Sequence, residues 1–388
     1  MKAVDSIEQP QQKIDKIPPD LRGPRGLYAK MLASMISEYR EEGFALFCRV
    51  LAARGHLTVL ALSFSQESSS FALKCPTGRI SEQSVYSRTD EICRRLKSRC
   101  GGVLETARNP HLAGLISSDE HKEFLNRVPW EVRPHIGIDA VVSFVHRTAI
   151  EYLQGPWRAD GETLQSRKDH TVDLQLLISC LLWIKLIGRT AHVWEIWHAV
   201  NDAVFYAKRI EEQAGFSPTE LLDEIDVARR NIWSAGMSAG RPGDYDKDPG
   251  YGAIIQETRR NKGVPVEKVC YGPGIWGPQF CCQSALDDGE NLLTLAVQGE
   301  LILYLESKVN QHGLGVLNRK GSPLLAYAVM PRSNLPPLKN LPLSSDSYTT
   351  GFSSSSMIKW LIQHGANPNE SYNGETVWHE ALRTPLMK

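Results

Sequence analysis

The feature that most constrains this chain is a loose repetition in its last hundred residues. Three segments align: 288–308 (DGENLLTLAVQGELILYLESK), 320–329 (KGSPLLAYAV) with its partner 356–370 (SMIKWLIQHGANPNE), and 373–382 (NGETVWHEAL). Each opens on a glycine turn and continues into a short apolar helix. In the first two an amphipathic second helix follows. A single unit of this size cannot bury its own apolar face, so such units are stable only when stacked. The chain is thereby committed at its C-terminus to a helical array.

Two details give the array a family likeness. WLIQHGANPN (360–369) resembles the end of an ankyrin repeat, with Gly365 expected in the left-handed helix-ending conformation and Asn367 or Asn369 in the following turn. GETVWHEAL (374–382) resembles the T-P-L-H-x-A start of the next repeat, with Thr376 and His379 at the matching positions. The likeness is imperfect. Leu325 stands where the middle repeat should carry His, and a Pro/Ser-rich insertion, Pro331 to Ser355, separates its two helices. The last repeat stops at Lys388, before a second helix. The resemblance implies a protein partner bound through the repeats, with Leu325, Trp360, Trp378 and His379 as the candidate contact residues.

Upstream, the apolar periodicity predicts helices from Leu27, with Phe44, Phe47, Cys48 and Leu51 on one face, and a short helix capped by Thr58. The Ser-rich stretch from Gln66 to Ser87 reads as a loop. Thr89 is expected to cap a helix that Gly101-Gly102 stops. Two strands, VLET (103–106) and Val141–Val145, flank an insertion of about 35 residues. Three helices and a hairpin give the order of a winged-helix domain. Three further helices are predicted between His170 and Trp233, the last with Ser217 as N-cap, Pro218 at its first position and Glu220 closing a capping box. Trp183, Trp194 and Trp197 have core-like spacing. The fold class is therefore mainly α. It comprises a lead-in (1–20), a winged-helix-like domain (21–154), a helical bundle (155–233), a Gly/Pro-rich linker (234–284) and degenerate ankyrin repeats (285–388).

Within this frame the runs 27–64, 94–105 (RRLKSRCGGVLE) and 142–153 (VSFVHRTAIEYL) resemble fungal proteins of the NACHT type, relatives of NOD-like receptors. In that family a nucleotide-binding module precedes a winged-helix region, a helical region and often ankyrin repeats. The likeness covers about 17–230 and departs at Gly23-Pro24-Arg25. The 142–153 run is similar to the F-x-H-x-S-x-Q-E-Y segment of the family. There the histidine reaches the phosphates of bound ADP, which makes His146 the nucleotide-sensing candidate, with Thr148, Glu151 and Tyr152 at the other matching positions. A helix-capping histidine is the alternative at the same position. The chain has no G-x-x-x-x-G-K-[ST] loop to cradle phosphate, so ATP hydrolysis does not carry over. It starts where the NACHT module would end, and a separate NACHT module is accordingly a second expected partner.

The remaining chemistry is sparse. Arg94, Arg95, Lys97 and Arg99 lie on the helix that would read DNA in a winged-helix protein, but 44 basic against 44 acidic residues leave no field to draw nucleic acid. Gly236-Met237-Ser238-Ala239-Gly240 matches the G-x-S-x-G of hydrolases, with Ser238 as nucleophile, yet it follows a helix and enters a Gly/Pro-rich stretch. His379-Glu380 opens H-E-x-x-H, but position 383 is Arg. Cys281-Cys282 and Cys270 lack zinc-site spacing. No catalytic residue, metal or cofactor is expected, and the expectation is a non-enzymatic interaction protein. The N-terminus has no signal-peptide pattern, and Leu174–Ile187 is shorter than the about 20 apolar residues a membrane span needs. A cytoplasmic chain with reduced cysteines and a buried apolar helix is the reading that follows.

Overall fold

A computed structural model describes residues 24–55, 57–108, 140–155, 170–187, 193–238, 292–317, 323–329, 355–372 and 374–383. The predicted lead-in, the insertion after Arg108, the linker beyond Ser238 and nearly all of the Pro/Ser-rich insertion lie outside these residues. The protein is mainly helical and forms two compact units. The first comprises Met1–Ser63 and Ser81–Val172; the second comprises Phe64–Ile80 and Asp173–Lys388. A 17-residue stretch that lies in sequence within the first unit thus packs with the second.

The first unit contains α1 (Pro24–Ala33), α2 (Arg40–Ala52), β1 (Leu57–Thr58), α3 (Val59–Phe64), α5 (Glu82–Arg99), β2 (Leu104–Arg108), β3 (Ala140–Phe144) and α6 (Arg147–Gln154). Its sheet is antiparallel in the order β1-β3-β2. β2 and β3 pair from Leu104↔Phe144 to Arg108↔Ala140, as the predicted hairpin requires. β1 joins the other edge of β3 through Leu57↔Val142, a pairing too short and too distant in sequence to be anticipated. Thr58 caps α3 as expected, its Oγ1 accepting from the Ala61 amide at 3.0 Å. Gly101 and Gly102 end α5 at φ +55° and +77°.

Three local expectations are corrected. The supposed loop 66–87 contains α4 (Ser69–Lys74), started by the Ser68 hydroxyl accepting from the Phe71 amide at 3.1 Å. α5 starts at Ser81, not Thr89, because Ser81 already accepts from the Ser84 amide and nothing between them breaks the helix. Thr89 is instead buried mid-helix and donates back to the Val85 carbonyl at 2.8 Å. On α2 the buried stripe is Gly43, Leu46 and Phe47, while Phe44, Cys48 and Leu51 are half-buried. A Cβ at Gly43 would run into the Arg99 carbonyl oxygen, so the glycine allows α2 to approach the end of α5 closely.

The second unit contains α4, then α7 (His170–Ile187), α8 (Val193–Ala214), α9 (Thr219–Ser238), α10 (Leu292–Gly299), α11 (Ile302–His312), α12 (Leu324–Val329), α13 (Ser355–Gln363), β4 (Ser371–Tyr372), β5 (Glu375–Thr376) and α14 (Val377–Arg383). The three predicted helices between His170 and Trp233 are present, the third starting one residue later than expected. α7 is the one described helix long and apolar enough to cross a membrane, and most of it is buried within the unit, Trp183 included. The side chains of Trp194 and Trp197 lie outside the described set. Leu177, Leu181, Leu182, Val200, Ala207, Ile210, Leu222 and Ile225 form the bundle core.

Candidate functional site

The helical array is built on three short helices packed in succession, α10 against α12 and α12 against α14, with α11 and α13 beside the first two. α13 ends in a paired-hydrogen-bond turn at Gly365, φ +87°. The Gly365 amide donates to Ile362 and the Ala366 amide to Leu361, each at 3.0 Å, and the buried side chains of Leu361 and Ala366 sit across the turn. Asn367 Oδ1 then accepts from the Asn369 amide at 3.0 Å, which fixes the turn into the β4–β5 hairpin. Gly374, φ +84°, lies between the two strands. Thr376 Oγ1 accepts from the His379 amide at 3.2 Å and so starts α14.

The four candidate contact residues divide. Trp378 and His379 are exposed on α14, Trp378 by 57 %. Leu325 is buried in α12, so it belongs to the interior of the array and cannot contact a partner. Trp360 is also buried: its indole N–H donates to Glu306 at 3.2 Å and its ring stacks on His364 with centroids 4.1 Å apart. A large amphipathic ring held between α13 and α11 acts as packing, with its one polar atom satisfied.

α8 and α9 hold the array through carboxylates. Leu301 precedes α11 without a capping side chain, so the first amides of that helix need an outside acceptor. Glu211 on α8 provides it, accepting from the amides of Leu303 at 3.0 Å and Tyr304 at 2.8 Å. Burial pushes the Glu211 carboxyl up, against the downward pull of these hydrogen bonds. Asp223 on α9 accepts from the Tyr304 hydroxyl at 2.8 Å and pairs with Lys308 at 2.5 Å. Burial and the Asp223 charge hold the Tyr304 phenol well above its usual range, so it stays protonated.

His146 is exposed and is the N-cap of α6. Its Nδ1 accepts from the Thr148 amide at 3.2 Å and lies 2.9 Å from Thr148 Oγ1. A ring nitrogen that accepts from an amide carries no proton, so the neutral ring carries its proton on Nε2. Thr148 Oγ1 lies 2.9 Å from the Tyr28 hydroxyl, and the Tyr28 and Tyr152 rings are 5.5 Å apart. Three of the matching positions, His146, Thr148 and Tyr152, are thus joined through Tyr28.

The basic helix is partly paired with carboxylates on itself and on α2. Arg94 pairs with Asp90 at 3.0 Å, Arg95 with Glu91 and with Glu42 at 3.5 Å, and Arg99 with Glu42. The Arg99 guanidinium also lies 4.9 Å from the Tyr39 ring centroid, and Lys97 is exposed. Three carboxylates thus stand among the four cations. Ser238 closes α9, and Ala239-Gly240 lie outside the described residues. A helix end is not the strand-to-helix turn that exposes a hydrolase nucleophile.

Sequence reasoning missed the residues that carry most charge into the interior. Lys185, 1 % exposed, donates to the carbonyls of Ala72, Leu73 and Cys75 at 2.9, 3.0 and 2.7 Å and pairs with Glu224 at 2.6 Å. The only signal was a lone lysine in LLWIKLI, which must find a partner if the helix is buried. No curated protein and no solved structure matches the chain. Residues 34–194, which hold the three-stranded sheet, His146 and the arginine helix, match the family model described as a domain of unknown function (DUF7791).

Proposed function

We propose that this chain is a non-enzymatic, cytoplasmic protein-interaction module, built like the regulatory and sensing part of a fungal NACHT, NOD-like-receptor-type protein. In this reading 21–154 is a winged-helix region and 285–388 a degenerate ankyrin array that binds a protein partner. The observation that carries it is the succession α10, α12, α14, with the Gly365 turn and the β4–β5 hairpin leading into the last helix. The strand order β1-β3-β2, with β1 between two helices, supports the winged-helix part. The exposed His146 supports the sensing part, because its Nε2–H is free of the capping bond and can donate to a phosphate oxygen of a docked NACHT module.

The test is a set of titrations on the purified chain. Binding of duplex DNA that weakens steeply with salt would move the function to the arginine helix. Labelling of Ser238 by a fluorophosphonate would move it to hydrolysis. Magnesium-dependent ATP hydrolysis by the chain alone would remove the non-enzymatic reading. The expected outcome is none of the three. In a receptor reconstituted with a NACHT module, His146→Ala should weaken ADP retention, and unchanged retention would leave His146 as a helix cap alone.

A further inference from the structure

Residues 66–80 lie in the chain between α3 and α5 of the first unit, yet they belong to the second. Little apolar surface keeps them there. Ala72 is the one buried side chain of the stretch, Leu73 and Ile80 are half-buried, and Phe71 is exposed. The stretch docks through two helix ends that satisfy each other. The last turn of a helix leaves carbonyls without a partner inside it, and here both α4 and α7 end. The Gly78 and Ile80 amides donate to the Lys185 and Leu186 carbonyls of α7 at 2.9 and 3.1 Å. In return the Lys185 ammonium donates to the carbonyls of Ala72, Leu73 and Cys75 and pairs with Glu224 on α9. All these groups can take water in place of one another once the stretch lifts. Lifting also rehydrates a buried ammonium and returns backbone freedom to the stretch. An element with few buried apolar contacts lies at the low end of local stability.

We propose that 66–80 is a releasable strap, which leaves the second unit as one piece while both units stay folded, with the Lys185 ammonium as its catch. The consequence follows from connectivity. With the strap docked, the chain passes between the units at 63–64, 80–81 and 172–173. With the strap released, 66–80 becomes a loop joining α3 to α5, and the passage at 172–173 is the link that remains. Docking therefore decides whether the second unit is tied to the first at three places along the chain or at one.

Hydrogen exchange of the full chain, followed amide by amide at rising but sub-denaturing urea, tests this. The Ala72, Cys75, Gly78 and Ile80 amides should share one opening reaction. They should exchange at least about tenfold faster than the Leu177 and Leu181 amides of α7, and with little dependence on urea, the mark of a small opening. Ala72→Glu puts a charge into the one buried site of the strap. It should abolish protection of these four amides while the centres of α7, α8 and α9 and the β2–β3 pairs remain protected. Strap amides that exchange in step with the centre of α7 at every urea concentration overturn the proposal. So does an Ala72→Glu chain in which α7, α8 and α9 lose protection together with the strap, or one in which the strap stays protected.

Discussion

Lys185 shows how one residue can hold a segment of chain. Its ammonium has three protons and four oxygens around it, three of them carbonyls at the end of α4. A cation at a helix C-terminus also complements the helix dipole. Lys185→Met should therefore destabilise the protein by about 3 kcal/mol, since it leaves Glu224 and three carbonyls without their shared donor. Denaturant unfolding measures this, and Lys185→Arg should not restore it, because a planar fork does not fit a cluster built for a point charge. Glu211 makes a pH-dependent contribution. Burial raises its carboxyl above the ordinary 4.5, so the folded state holds the proton to higher pH than the unfolded chain does. That contribution is fully present below about 4.5 and is lost as pH rises through the folded-state value. Urea titrations of wild type and Glu211→Gln between pH 4.5 and 7 should show the wild-type advantage shrinking as pH rises. A constant difference would mean that Glu211 does not titrate within the window.

At the scale of elements, Gly365 sets the exit from α13. A Cβ there meets nothing within 4 Å, so Gly365→Ala costs only the left-handed backbone, about 1 kcal/mol, and Gly365→Val costs more. Gly365→Asn should fall between glycine and alanine, and thermal unfolding of the three variants gives the order. This turn was legible in the sequence because its signal is local: an amphipathic stretch, a glycine, then asparagines. The helices of 170–238 and the β2–β3 hairpin were legible for the same reason. α4 and the first two turns of α5 were not. Serines read as loop formers, and only their capping bonds, at Ser68 and Ser81, turn them into helix starts. β1 was not legible either, since two residues carry no period and their pairing is with a strand over 80 residues away.

At the scale of the molecule, the second unit gathers 64–80 from within the sequence of the first. The Gly78 and Ile80 amides donate to the carbonyls of Lys185 and Leu186 at 2.9 and 3.1 Å, so backbone as well as side chain holds the stretch. α12 packs against α10, α13 and α14, so damage to it should spread to all three. Leu325→Glu puts a charge into the buried face of α12 and should cost several kcal/mol. Hydrogen exchange should then show α10, α13 and α14 losing protection together, while the amides of β2 and β3 keep theirs. Equal loss in both units would mean that the protein unfolds as one body.

The sequence by itself determined the helical class, the glycine stops, the hairpin strands and the short C-terminal helices, because each depends on periodicity or turn chemistry within about ten residues. It also placed His146 at a strand-to-helix junction, where the ring caps α6. Tertiary structure alone decided which candidates are surface and which are core. Leu325 and Trp360 became packing, and Trp378 stayed in water. It also decided that the arginine helix would be matched by Glu42 from α2, and that Lys185 would reach carbonyls more than 100 residues away in the chain. A charge in an apolar run states that it needs a partner; only the folded chain brings that partner within hydrogen-bonding distance.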